Sequence, residues 1–133
     1  MTPLSIEMTW LVWTALITAV LWIPYILKLL AEQGVGNALM DGEHVAPPQA
    51  AWAQRASRAH TNAVENLVVF APLVLAVEMT GANSALTATA CGVFFYARLG
   101  HYVVYTLGLP VIRTLLFAVG WACQIALGYA LLA

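Results

Sequence analysis

Long apolar runs, separated by short clusters of Gly, Pro and polar residues, set the pattern of this chain. A helix that crosses a bilayer needs about 20 mostly apolar residues, and four segments reach that length. The first runs roughly over 8–30, "MTWLVWTALITAVLWIPYILKLL", with a kink expected at Pro24. The second covers about 50–79, the third about 85–107 and the fourth about 110–132. "TGANS" (80–84) and "GLP" (108–110) make tight connections, with Pro110 placed to open a helix. The first two helices are joined by the one long loop, "AEQGVGNALMDGEHVAPPQ" (31–49), rich in Gly, Pro and acids. The pattern predicts an all-α, integral membrane four-helix bundle, a single domain over 1–133.

Composition agrees. The chain has 133 residues, of which 62% are hydrophobic and 8% charged. A soluble domain has about 45–50% apolar residues and about a quarter charged. A formal charge of −1 with no basic run excludes nucleic acid as an expected partner. Cys91 and Cys123 lie in apolar stretches without metal-ligand spacing, so both are expected as buried packing residues and no metal is expected. A secretory signal places basic residues before its apolar core. Here Glu7 precedes the core and Lys28 follows it, so no signal is expected. The tryptophans (10, 13, 22, 52, 121) suit interfacial belts and lipid faces.

The few charges change the picture. Lys28 ends the first helix, Arg55 and Arg58 begin the second, Arg98 lies late in the third and Arg113 opens the fourth. Because successive helices alternate direction, all five fall on one side, together with His44, His60 and His101. The positive-inside rule makes that side cytoplasmic and leaves both termini outside. Orientation alone requires charges only in loops. Arg58, Glu65, Arg98 and Arg113 lie within helices, where an ionisable residue is expensive and faces a bundle interior or wet cavity.

At about 100° per residue, Arg55, Arg58, Asn62 and Glu65 share an arc of roughly 80° on the second helix. Arg98, His101 and Tyr105 share one face of the third at i, i+3 and i+7. Arg113 and Thr114 sit in the first turn of the fourth, beside free backbone N–H groups. A cation there is unfavourable unless something anionic joins it. Three helices thus aim polar faces at one depth, and cations outnumber the acid Glu65, which suits a small anionic ligand with hydrogen-bonding arms. The plainer alternative is that Glu65 pairs with an arginine and, with Asn62, glues the bundle. Glu7, Glu78 and the loop acids Glu32, Asp41 and Glu43 are expected to be solvated, although Asp41 could reach over the site. His60, off the stripe, is expected in the interfacial rim.

"RAHTNAVEN" (58–66) resembles the R-A-x-x-N-x-x-E signature of the MAPEG family, membrane-associated proteins of eicosanoid and glutathione metabolism. "RLGHYVVY" (98–105) and "PVIRT" (110–114) resemble that family's third-helix segment and the start of its fourth helix, so the likeness covers essentially the whole chain. The resemblance implies a homotrimer in the bilayer with glutathione bound between subunits, open to the cytoplasmic side, and a lipophilic small-molecule substrate. It implies that Arg58, Asn62 and Glu65 hold the tripeptide, Glu65 at its ammonium, while His101 and Tyr105 add hydrogen bonds. Lys28 would close the pocket, Arg113 would lie near the sulfur as the catalytic residue, and Thr114 would stand beside it. Arg55 and Arg98 would support the site through ion pairs.

The chain departs from the family pattern in places. Val68 and Val69 stand where a proline is usual, and the proline comes at Pro72. Thr61 and Phe117 stand where prostaglandin E synthase has an arginine and a tyrosine. These departures and the compact length favour a bacterial member, in the inner membrane with periplasmic termini, over a prostaglandin synthase. The expected function is a glutathione transferase or peroxidase. The alternative is a non-catalytic binding or scaffold protein on the same fold. A proton-coupled cation transporter is disfavoured, because arginines surround the acid.

Overall fold

The computed structural model describes residues 2–40 and 47–133, so Asp41, Glu43 and His44 lie outside the described residues. It is all-helical in that range: α1 (Ile6–Val20), α2 (Ile23–Gln33), α3 (Val35–Met40), α4 (Ala51–Thr80), α5 (Ala85–Leu107) and α6 (Pro110–Leu132). The three later helices fall where the apolar pattern puts them. Gly81 and Gly108 end α4 and α5 at φ 69° and 81°, a left-handed turn that glycine adopts without a Cβ clash. Pro110 opens α6, where its missing N–H costs nothing. Ser84 and Thr87 cap α5 reciprocally.

The first span differs from the expected single kinked helix. It breaks at Leu21 and Trp22, and Pro24 lies in the first turn of α2. Proline has no N–H for the carbonyl one turn earlier, so the helix restarts instead of bending. Side chains from neighbouring helices serve carbonyls near the break. The Tyr102 hydroxyl donates to Leu21 O at 2.9 Å. His60 meets Thr18 O at 3.0 Å through Nε2 and the Tyr25 hydroxyl at 2.8 Å through Nδ1. His60 therefore fastens α4 to α1 and α2.

Contacts fix the direction of each helix. Glu7 meets Thr87 and Leu21 meets Tyr102, so α1 and α5 run parallel. Phe70 stacks on Phe94 with centroids 3.8 Å apart, and Arg55 meets Thr106, so α4 runs against α5. Gly120 faces Arg98 while Arg113 lies by Tyr105, so α6 does too. This is the alternation that gathers the cations at one end.

Two apolar clusters fill the interior. Phe70, Val74, Val77, Cys91, Phe94, Cys123 and Leu127 pack toward the end bearing the chain termini, and both cysteines are free and buried as expected. Toward the cationic end the core is made of small residues, Ala56, Ala59 and Ala63 against Leu21 and Tyr102. These alanines bring α4 close to its neighbours, as small residues do in membrane bundles. Most of the remaining apolar surface faces outward, including Leu16, Trp13, Leu115, Trp121 and Ile125. Outward apolar surface on that scale suits lipid and not water.

Among the described residues, three helices are long and apolar enough to cross a membrane: Ile6–Gln33 taken through its break, Ala51–Thr80 and Pro110–Leu132. The 23-residue α5 is the same length as α6 but carries buried Arg98 and His101, and it packs against α1, α4 and α6.

The loop expected between the first two spans contains α3, started by Gly34 at φ 84°. Three acids expected in solvent accept hydrogen bonds, and one of them, Glu7, is buried. Glu32 accepts from Gln49 N at 2.7 Å and Ala50 N at 3.1 Å, at the positive end of α4, whose N-cap Ala50 has no side-chain oxygen of its own. Glu7 is 3% exposed and accepts from the Thr87 hydroxyl at 2.5 Å, because α1 lies parallel beside the start of α5. Glu78 stays exposed but accepts from Ser5 at 2.6 Å and Asn83 at 3.1 Å.

Candidate functional site

The stripe on α4 is on the surface of the single chain and lines one of two cavities that share Tyr105. One, of about 260 Å³, is lined by Ser57, Arg58, Thr61, Asn62, Glu65 and Tyr105. The other, of about 290 Å³, is lined by His101, Tyr105, Arg113, Thr114 and Phe117. Tyr105 forms a wall of both, so the polar faces of α4, α5 and the start of α6 converge as the helical spacing predicts. Seven of the eight residues singled out as a site line these two cavities. Lys28, half-buried on α2, lines neither.

The charges here are not paired with one another. Among the described residues, Arg58 and Glu65 make no hydrogen bond or ion pair, and both are exposed. The alternative of Glu65 as bundle glue to an arginine is thus not what the chain does. Arg113 lies over the face of Tyr105 with its guanidinium carbon 4.6 Å from the ring centroid, a cation–π contact that holds the cation in the cavity wall. His101 is 3% exposed, edge-on to Tyr105 and tilted against Phe117. The Thr114 hydroxyl donates to Pro110 O at 3.1 Å, and the residue lines the cavity.

Behind this wall Arg98 is 4% exposed and lies against Gly120, where an added Cβ would come within 3.3 Å of its side chain. Its Nη2 donates to Asn62 Oδ1 and lies 3.4 Å from His101 Nδ1, while Nε and Nη1 are buried without partners. Arg55 donates from Nε to Thr106 O at 2.9 Å. Among the described residues neither makes the expected ion pair, and both hydrogen-bond to neutral groups.

Sequence reasoning passed over Asn66 and Gln124. Asn66 Nδ2 donates to Asn62 O at 2.9 Å, and Gln124 Nε2 donates to Asn66 O at 3.2 Å. The signal was a lone amide in the apolar "GWACQIALG" of α6, which needs a partner inside a membrane.

The arrangement can bind a ligand that carries both signs of charge. Exposed Arg58, half-buried Arg113, the Glu65 carboxylate, the Asn62 amide and the hydroxyl groups of Ser57, Thr61, Tyr105 and Thr114 line these shallow polar recesses at one end of the bundle. No group of acids, histidines and cysteines among the described residues could hold a metal. A larger groove of about 600 Å³ lies elsewhere, between Trp10, Gly92, Tyr96 and Val119, and no charged side chain lines it. Its lining is mainly apolar.

The family model described as "MAPEG family" matches residues 8–133 of the chain. No curated protein matches, and no solved structure does.

Proposed function

Because the chain belongs to the MAPEG family, an integral membrane family whose metabolism involves glutathione, we propose that it is a membrane-bound glutathione-dependent transferase or peroxidase acting on lipophilic electrophiles. The observation that carries this reading is the set of charges without an ion-pair partner among the described residues, Arg58 and Glu65 on one cavity with Arg113 on the adjoining one. Glutathione has two carboxylates and one ammonium, the complement of surplus arginine with one glutamate. In this reading Glu65 takes the ammonium, and Arg58 a carboxylate. Asn62, His101 and Tyr105 give hydrogen bonds, and Thr114 stands beside the sulfur.

The chemistry needs no metal. A thiol like cysteine's has a pKa near ~8.5 and is mostly protonated at neutral pH. Arg113, a cation in the first turn of α6 where backbone N–H groups are free, favours the thiolate and releases the proton to water. The thiolate attacks the electrophilic carbon of the substrate, a C–S bond forms and the leaving group departs with the electron pair. With a hydroperoxide as substrate, two glutathione thiols are oxidised to the disulfide while the hydroperoxide is reduced to an alcohol and water. Lys28 reaches neither cavity within one chain, which supports a homotrimer in which a neighbouring copy completes the pocket. The cationic end faces the cytoplasm, and a bacterial inner membrane suits the compact chain.

The test is a titration of glutathione into the detergent-solubilised protein near neutral pH, followed by thiolate absorbance in the ultraviolet. A saturable signal that disappears in Arg113→Leu supports activation of the thiol. Binding without the signal would favour the scaffold reading. No binding would remove glutathione as the ligand.

A further inference from the structure

We infer that Asn66 and Gln124 are positioning residues that set the direction of the Asn62 amide, so that its NH₂ group and not its carbonyl faces the ligand. This deepens the glutathione reading and rests on it. Arg98 is the anchor. A guanidinium carries donors only, so the Asn62 atom that it meets is the carbonyl Oδ1. Asn66, one turn along α4, donates from Nδ2 to Asn62 O at 2.9 Å and to Asn62 Oδ1 at 3.3 Å. Gln124, on α6, donates from Nε2 to Asn66 O at 3.2 Å and to Asn66 Oδ1 at 3.4 Å. Donation therefore runs one way, from Gln124 to Asn66 to Asn62, and Arg98 meets it from α5.

Two donors converge on Asn62 Oδ1. That leaves Nδ2 without a partner among the described residues, in a side chain that lines the cavity with Arg58 and Glu65. An amide NH₂ there recognises a carboxylate or amide carbonyl of the ligand, and repels its ammonium. The ammonium is thereby directed to Glu65, one helical turn away on the same stripe. Gln124 is 8% exposed, and an amide inside apolar surroundings is retained at a cost unless it is hydrogen-bonded. A side chain that only tied α6 to α4 would have no stake in which end of Asn62 faces the cavity. That difference makes the two roles separable.

The experiment is calorimetric titration of glutathione into the full chain in detergent, for the wild type, Gln124→Met, Asn62→Ala and the double variant. Gln124→Met keeps the volume and removes the donor, and it weakens binding by about threefold to tenfold. In the Asn62→Ala background the same substitution has no further effect, since its influence passes through Asn62. Asn66→Ala removes the middle link at a half-buried position and gives the same pair of results, which decides the matter if Gln124→Met does not fold. Wild-type affinity in these variants, or a loss undiminished in the Asn62→Ala background, overturns the positioning role while leaving the glutathione reading intact. Absence of binding by the wild type overturns the glutathione reading itself, and this inference with it.

Discussion

Glu65 and Arg113 are separated by Tyr105, and their tasks separate with them. Glu65 lines one cavity without a protein partner, whereas Arg113 is held over the Tyr105 ring in the other. Glu65→Gln keeps the shape and removes the charge that the ammonium needs. A hydrogen bond to a charged group contributes about 1.5–3 kcal/mol, so glutathione binding should weaken by about tenfold to a hundredfold. An analogue lacking the α-amino group should bind both forms equally, and competition calorimetry with that analogue checks this. Arg113→Leu should leave glutathione affinity within about threefold of the wild type and remove the thiolate absorbance, because the lost interaction is with the sulfur alone. The residue types at 58, 62, 65, 101, 105, 113 and 114 were legible from helical spacing. That Arg58 and Glu65 stay unpaired among the described residues was not, because pairing depends on which rotamers and neighbours the fold provides.

At the scale of the elements, the broken first span is the part most dependent on others. Tyr102 and His60 hydrogen-bond to carbonyls on the α1 side of Pro24. His60→Ala removes two hydrogen bonds and leaves Thr18 O without that partner. Each such bond contributes about 0.6–1.5 kcal/mol in a membrane bundle. The midpoint of thermal unfolding in detergent should fall by about 3–8 °C, while the thiolate signal of the folded fraction persists. The break was foreshadowed by Pro24, but the sequence offered only a kink, since nothing local says which neighbours will satisfy the freed carbonyls. The same limit explains Glu32. Its carboxylate sits 17 residues from Gln49 in sequence, and only the tertiary structure brings it to the head of α4.

Across the whole molecule, charge and direction act together. Up-and-down packing sends Arg55, Arg58, Arg98 and Arg113 to one end and Glu7 and Glu78 to the other. The positive end should face the cytoplasm. Gln49 is exposed at that end, and the native cysteines are buried. A Gln49→Cys chain should therefore react with a membrane-impermeant maleimide in inverted inner-membrane vesicles and not in intact spheroplasts. The reverse labelling would show that the orientation drawn from the basic residues is wrong. Native mass spectrometry of the detergent-solubilised protein should give three copies, and a monomer that still forms thiolate would remove the need for a neighbour at Lys28.

Sequence alone determined what bilayer physics dictates one segment at a time. Spans follow from 20-residue apolar runs, helix ends from Gly81, Gly108 and Pro110, and the gathering of cations from alternating direction. The shared polar face of each helix follows from 3.6-residue periodicity, which is a property of the backbone and needs no neighbours. Tertiary structure decided what needs two helices to define. It paired Glu7 with Thr87, made His60 a fastening between α4 and the first span, and drew Asn66 and Gln124 into one hydrogen-bonded line with Asn62. A polar group inside a membrane must find a partner, and its residue type states only that need. Which group answers is set by the distance between helices, fixed here by the alanines of α4.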